Sequence, residues 1–351
     1  TQINLIKETI ASQEDLADFM YHPHIKPEAK KEVLEKIFKG QLADEVYKFL
    51  MLLVDKRREG LLKQIAADYS RDLLFIPMPD MKNLTGQDID TRRWNISTFG
   101  RLYMASLLPE TVHKVLNIDC DTIILDSLEQ LWDTDLTGKV FGGMLECIND
   151  RYRHNVGMKS GEKYLNGGVV FLNCEEVRRN YYERRFTDYI RKYGSSLAYL
   201  DQDVLNGVVE AAKKLQLPLR YNVLSIYFYA TYKQVLKIRG SDNFYSAAEY
   251  ETAKAKPGLV HFTTCFLDGV RPWIEGNKHP YLDEFLEYKA MSPWANMPIQ
   301  KDNRKPIIKL RSKLIKMTPR VILCPLASIL HSVIIPNQNR RRMEKMRKQQ
   351  L

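Results

Sequence analysis

The sequence predicts an α/β layer fold that stands behind a small all-α domain and runs out into a basic amphipathic tail. Three observations carry this. Residues 1–71 show helical apolar spacing and no other pattern. Beyond Ser70, short apolar runs bounded by Gly and Pro alternate with helical stretches, as an α/β fold requires. From Lys301 onward, 14 Lys and Arg stand against only Asp302 and Glu344. The expected domains are therefore 1–71, 72–300 and 301–351.

In the first region, PEAKKEVLEKIFKG (27–40) places Val33, Ile37 and Phe38 on one face. ADEVYKFLMLLVDKRREGLLKQIAADY (43–69) does the same with Val46, Phe49, Leu50 and Leu53. Pro27 opens a helix, Gly40 closes one, and Gly60 is expected to break the second run. His22 and His24 flank Pro23 in what reads as a solvated turn rather than a metal site. LLFIPMP (73–79) is a strand candidate, and TVHKVLNI, KVFGGMLE and GGVVFLN follow it. A long charged helix is expected over 175–192, ahead of LDQDVLNGVV.

The stretch VLNIDCDTIILDSLEQLWDTDL sets Asp119 and Asp121 one residue apart at the end of an apolar run. In an extended chain both carboxylates share a face, with Cys120 opposite. Adjacent anions repel unless something cationic joins them. Oxygen ligands suit Mg²⁺ or Mn²⁺. On these letters alone, two acids capping turns at a strand end is the commoner arrangement.

Composition narrows the classes. The chain has 351 residues, 44% of them apolar and 27% charged, the proportions of a globular protein. Its five scattered cysteines contain no C-x-x-C pair, which favours a reducing compartment over a disulfide scaffold or zinc site. No signal peptide opens the sequence, no apolar run is expected to reach the length of a membrane span, and the missing initiator Met suggests a fragment. The net charge of +10 gathers after residue 300 and leaves the body mildly acidic, so no nucleic-acid partner is expected.

Two resemblances follow from ordered blocks. ASQEDLADFMYHPHIKPEAKKEVLEKIF and VYKFLMLLVDKRREGLLKQIAADY resemble the N-terminal domain of the ATP synthase delta subunit over residues 1–71. That resemblance implies the ATP synthase alpha subunit as a partner, although the delta family's opening helix and its C-terminal portion are absent. From about Leu73 onward, STFGRLYMASLLP, the D-x-D stretch, KYLNGGVVFLNCEEVRR, YLDQDVLNG and HFTTCFLDGVRPWIEGNKHPY resemble family 8 of the retaining glycosyltransferases, the lipopolysaccharide galactosyl- and glucosyltransferase type.

The second resemblance implies a GT-A-type nucleotide-sugar transferase fold and transfer of a hexose from a UDP-sugar to a saccharide or lipid-linked acceptor. It implies Asp119, Asp121 and His261 as ligands of Mn²⁺ (or Mg²⁺). It places Asn166 and Gly167 of the NGG turn, Gly269 and Arg271 at the substrate, and Arg101, Asp201 and Gln202 at the reacting sugar. Arg271 stands where the family usually has lysine, and the His261–Arg271 spacing is longer than the family form. Asp203 reads equally as a helix-cap acid, and Trp132 and Trp273 as packing residues. The family's opening strand and A-x-D-x-x-Y loop have no counterpart before Leu73. The first strands therefore look missing and activity is expected to suffer; the alternative is a delta-like binding module with an impaired transferase remnant.

The tail PIIKLRSKLIKMTPRVILCPLASILHSVIIP (306–336) mixes Ile307, Ile308, Leu310, Leu314 and Ile315 with Lys309, Arg311, Lys313 and Lys316. It reads as an interfacial helix on an anionic membrane surface, with 321–336 too short and proline-broken to span. NRRRMEKMRKQQL is expected to be disordered or frayed. Together these place the protein in the cytoplasm, peripheral on the inner face of the cell membrane.

Overall fold

The structure, a computed structural model, describes residues 6, 8–10, 12–21, 27–42, 47, 59–74, 76, 80–86, 88–91, 95–241, 243–267 and 270–349. The chain divides into two compact units, one of Thr1–Ile76 with Ala290–Asn296 and one of Pro77–Lys289 with Met297–Leu351.

The first unit is helical among its described residues, with helices at Glu14–Tyr21, Pro27–Phe38 and Glu59–Asp68. Ile10, Leu16, Met20, Leu34, Phe38 and Leu42 form its buried cluster, and Val33 and Ile37 pack on it. Pro27 opens its helix, where a missing N–H costs nothing, and Gly40 follows the last turn with φ +80°. Gly60 is helical, within Glu59–Asp68, and residues 48–58 ahead of that helix lie outside the described residues. His22, His24, Val46, Phe49, Leu50 and Leu53 lie outside the described residues.

The expected strand at 73–79 does not form among its described residues. Leu73, Leu74 and Ile76 are exposed and belong to no ladder, since no neighbouring strand supplies hydrogen bonds there.

Among its described residues the second unit holds seven strands: β1 Lys114–Ile118, β2 Thr122–Ile124, β3 Phe141–Leu145, β4 Leu165–Asn173, β5 Lys214–Gln216, β6 Val223–Leu224 and β7 Leu259–His261. They form two sheets, ordered β1-β4-β3-β5 and β2-β7-β6. Pairing is mixed: β1–β4, β3–β4 and β2–β7 are antiparallel, while β3–β5 and β6–β7 are parallel. β4 reads LNGGVVFLN and is buried along all but its last residue, so it is the central strand of the first sheet. β1, which runs into the D-x-D pair, stands at that sheet's edge among the described residues.

The helix expected over 175–192 is two helices, Cys174–Arg179 and Tyr182–Tyr193. Tyr181 between them takes φ +54°, which ends the first helix. Arg178 then spreads its guanidinium over the carbonyls of Ala105, Leu108, Pro109, Glu110 and Val112, fastening the segment that leads into β1. LDQDVLNGV is a helix, Leu200–Val208, and its first residue has φ +43°. For a buried leucine that conformation costs on the order of 1–3 kcal/mol.

The tail is helical and docked. Pro306–Met317 is an amphipathic helix, and Arg320–Lys345 is a 26-residue run interrupted by a π-helical turn at Ile329–Ile334. Among the described residues this run alone is long and apolar enough, by length and composition, to cross a membrane, which corrects the expectation that 321–336 is too short. The last basic stretch is helical as far as Gln349. Leu323 and Met343 join the main core of the second unit, while Cys324 and Ala327 pack with Ile238 and Phe266. Pro336 has no N–H for the carbonyl four residues earlier, that of Ser332. Asn149 Nδ2 donates to that Ser332 oxygen at 2.9 Å, and Asn155 Nδ2 to the Pro336 oxygen at 2.8 Å. The first of these replaces the bond that the proline removes, and the second fastens the helix to the body.

Candidate active site

Asp119 and Asp121 lie in the joint between the two sheets. β1 ends at Ile118, β2 begins at Thr122, and three residues turn the chain from one sheet into the other. Asp119 N–H donates to the Gly168 carbonyl of β4 at 2.8 Å, and Phe262 N–H donates to the Asp121 carbonyl at 2.8 Å. Thr122 lies opposite His261 in the β2–β7 register. Ladder registry therefore gathers Asp119, Asp121 and His261, with one ligand atom from each lying within 4.8 Å of the others. His261 Nε2 is 3.0 Å from Asp121 Oδ1 and 3.8 Å from Asp119 Oδ2. Two carboxylates and one imidazole make an oxygen-rich donor set that fits Mn²⁺ or Mg²⁺.

The His261 tautomer follows from a chain of hydrogen bonds that starts at a backbone donor. Gly168 N–H can only donate, so the Asn166 atom 2.7 Å away is its carbonyl oxygen. The Asn222 atom that meets that same oxygen at 2.7 Å is then Nδ2, which leaves Asn222 Oδ1 facing His261 Nδ1 at 3.0 Å. Nδ1 therefore donates to Asn222, and Nε2 turns toward the acids. Glu146 accepts from the other end of Asn166 and anchors the series.

Two arginines balance the acids. Arg101, at the end of the 3₁₀ segment Ile96–Tyr103, pairs with Asp119, with Asp201 at 3.1 Å, and donates to the Gly167 carbonyl. Arg271 pairs with Asp121 at 3.0 Å and donates to Thr264 Oγ1 at 3.2 Å. Burial works against the charge of Asp121, but its bond to His261 and the charges of His261 and Arg271 outweigh that and hold its carboxyl below the usual range. Asp201 goes the other way. Burial pushes it up to about 6, Arg101 pulls it back, and Asp119 adds to the rise.

The structure brings Arg101, Asp119, Asp121, Gly167, Asp201, Gln202, His261 and Arg271 into one connected group. Gln202 accepts from Gly167 N–H at 2.7 Å, so the glycine's backbone holds both Gln202 and Arg101. Asn166 belongs to the group through its carboxamide, whose two ends face Glu146, Gly168 and Asn222. Asp203 accepts from Tyr164 OH and from the N–H groups of Ala198 and Tyr199, the turn-capping alternative. Trp273 packs among Phe262, Phe285 and the Arg271 guanidinium. Gly269 lies outside the described residues.

Sequence reasoning missed Glu146, Gly168, Asn222 and Thr264. Asn222 did leave a signal, one amide inside the otherwise apolar YNVL, buried just ahead of β6. Gly168 left none. A Cβ there would stand 2.4 Å from His261 Cε1 and 2.5 Å from Nδ1, and only the fold reveals that approach.

The family model of glycosyl transferase family 8 matches residues 6–275, and the chain belongs to that family. General stress protein A of Bacillus subtilis is 25% identical over 187 residues, 53% of this chain and 61% of that protein. Lipopolysaccharide 1,2-glucosyltransferase of Escherichia coli is 24% identical over 260 residues, 72% of this chain and 71% of its own. The chain thus spans less than two thirds of General stress protein A. Among solved structures, the galactosyltransferase LgtC in complex with donor and acceptor sugar analogues has 22% identity and a TM-score of 0.49, covering 68% of this chain and 78% of that one. A short segment is also similar to the delta subunit of ATP synthase, 39% identical over 64 residues in the Halothermothrix orenii protein, 18% of this chain and 34% of that one. The N-terminal resemblance is therefore real as a similarity, while the family 8 match itself begins at residue 6.

Proposed function

We propose that this chain transfers a hexose from a UDP-sugar to a saccharide or lipid-linked acceptor with retention of configuration, in lipopolysaccharide or cell-surface glycan synthesis. The observation that carries the reading is the convergence of Asp119, Asp121 and His261 from two sheets, framed by Arg101 and Arg271. Asp119, Asp121 and His261 would hold Mn²⁺ (or Mg²⁺). When bound, the ion supplies Lewis-acid neutralisation of the diphosphate leaving group.

The chain's own residues account for the remainder. Arg271, at the rim and 30% exposed, places a planar cation where a diphosphate oxygen would sit. Arg101, bonded to Asp201 and to the Gly167 carbonyl, walls the sugar side together with that acid. Gln202 presents an amide, a poor nucleophile, so retention is assigned to same-face substitution by the acceptor instead of a covalent intermediate.

The tail fits work at the cytoplasmic face of a membrane. Val321, Ile322, Leu326, Ile329 and Ile334 are exposed on a helix whose other side is docked, the layout of an interfacial helix. A second reading is favoured by the delta similarity: residues 1–71 bind the ATP synthase alpha subunit, beside an impaired transferase remnant.

Calorimetry of UDP in the presence of Mn²⁺ tests the first reading. Asp119→Asn and Asp121→Asn should each abolish the metal-linked component, because each removes an anionic ligand. Undiminished binding in both variants sinks the metal assignment. A wild-type chain that binds the alpha subunit but no Mn²⁺–UDP establishes the second reading.

A further inference from the structure

A separate concavity of about 370 Å³ opens between residues 270–276 and the helix Pro306–Met317. Its wall carries Arg304, Lys309, Lys313 and Lys316, with Ser312 among them. Asp302 faces Arg304 at 2.9 and 3.0 Å and Lys309 at 3.9 Å, which balances part of that charge. Glu275 is the other acid on the wall, and the cavity remains positive.

Lys309, Lys313 and Lys316 fall at i, i+4 and i+7, so they share one stripe of the helix. Like charges stacked this way repel one another, and an anion between them removes the repulsion. Roughly a third of a turn around the same helix runs a second stripe, Ile307, Leu310, Leu314 and Met317, at 68, 52, 55 and 70% exposure. A helix with a basic stripe beside an exposed apolar one sits with its cations at headgroup depth and its apolar side chains among acyl chains.

The cavity is also tied to the donor site. Glu275 N–H donates to the Gln300 carbonyl at 2.8 Å and Gln300 N–H to the Trp273 carbonyl at 3.0 Å, within the same short segment that carries Arg271.

We propose that this cavity binds a phosphate group carried by a membrane lipid and so holds the catalytic edge of the protein against the lipid surface. The inference rests on the interfacial reading of the tail and adds to it a defined headgroup site. Lys ammoniums and the Ser312 hydroxyl are donors suited to phosphate oxygens, and the apolar stripe beside them selects a phosphate at a lipid surface over one free in solution.

The test uses the full chain in vesicle co-sedimentation. Phosphatidylcholine vesicles are compared with vesicles brought to equal surface charge by phosphatidic acid or by a carboxylate lipid. Lys313→Ala/Lys316→Ala is compared with Arg341→Ala/Arg342→Ala, which removes equal charge from the last helix. General attraction to an anionic surface predicts equal losses for the two pairs. The headgroup site predicts that the lysine pair loses about tenfold more than the arginine pair on phosphatidic acid, and no more on the carboxylate lipid. Equal losses on phosphatidic acid overturn the site. Inorganic phosphate that fills the cavity as tightly as the vesicles do overturns the lipid source. A wild-type chain that binds no vesicle overturns the site together with the interfacial reading, whereas vesicle binding that ignores the lysine pair overturns the site alone. Mn²⁺–UDP calorimetry on the same variants should be unchanged.

Discussion

Gly168 and Asn222 decide how His261 is presented, and neither is itself a candidate ligand. Gly168→Ala would drive a methyl group into the imidazole at 2.4 Å inside a buried ladder, where the ring has no room to retreat. Asn222→Ala removes the acceptor that keeps the proton on Nδ1. Outer partners of this kind typically alter metal affinity by about 10–100-fold. Both variants should therefore weaken Mn²⁺ binding by about that factor in a direct titration without nucleotide, and unchanged affinity would show that His261 orients itself unaided. The acid pair and His261 were legible in the sequence because spacing and neighbouring blocks flagged them. The residues that orient them were not, because a glycine chosen for an absent side chain, or an amide 39 positions from its partner, has no local signature.

Among the elements, the tail helix shows how a breaker can be accommodated. Two prolines in the apolar run argued at sequence level for a broken segment. The structure keeps the helix by widening one turn to π geometry and bonding the stranded Ser332 carbonyl to Asn149. Asn149 also caps the helix Asp150–Asn155 by accepting from Tyr152 N–H, so its two ends do different jobs. Asn149→Asp keeps the acceptor and loses the donor. Leaving the Ser332 carbonyl without its partner should cost about 1–3 kcal/mol in denaturant unfolding; a variant as stable as the parent would mean that solvent satisfies that oxygen. β1, β3 and β4 were legible in the sequence because their apolar runs are short and bounded. The pattern failed at Leu73, Leu74 and Ile76, which find no partner strand, and over 175–192, where Tyr181 adopts a left-handed conformation that charge patterning does not reveal.

For the whole molecule, the sequence disclosed an α/β unit with a helical unit ahead of it but not the way the α/β unit is divided. Two mixed sheets, instead of one parallel sheet, follow from ladder pairings between segments far apart in the chain, such as β2 with β7. That division has a mechanical consequence. Asp119 is fastened to β4, while Asp121 and His261 belong to the side fastened to β7, so a cation gripped by all three acts as a rivet through both sheets. Its binding energy is then also a force against shearing one sheet past the other. At free Mn²⁺ of 100 times the dissociation constant, the folded unit should gain about 2.7 kcal/mol, read as a rise in melting temperature that chelation reverses and Asp119→Asn removes. A melting temperature indifferent to the ion would leave the sheets joined by the polypeptide alone; with the rivet in place, release of the ion and loosening of the joint become one event.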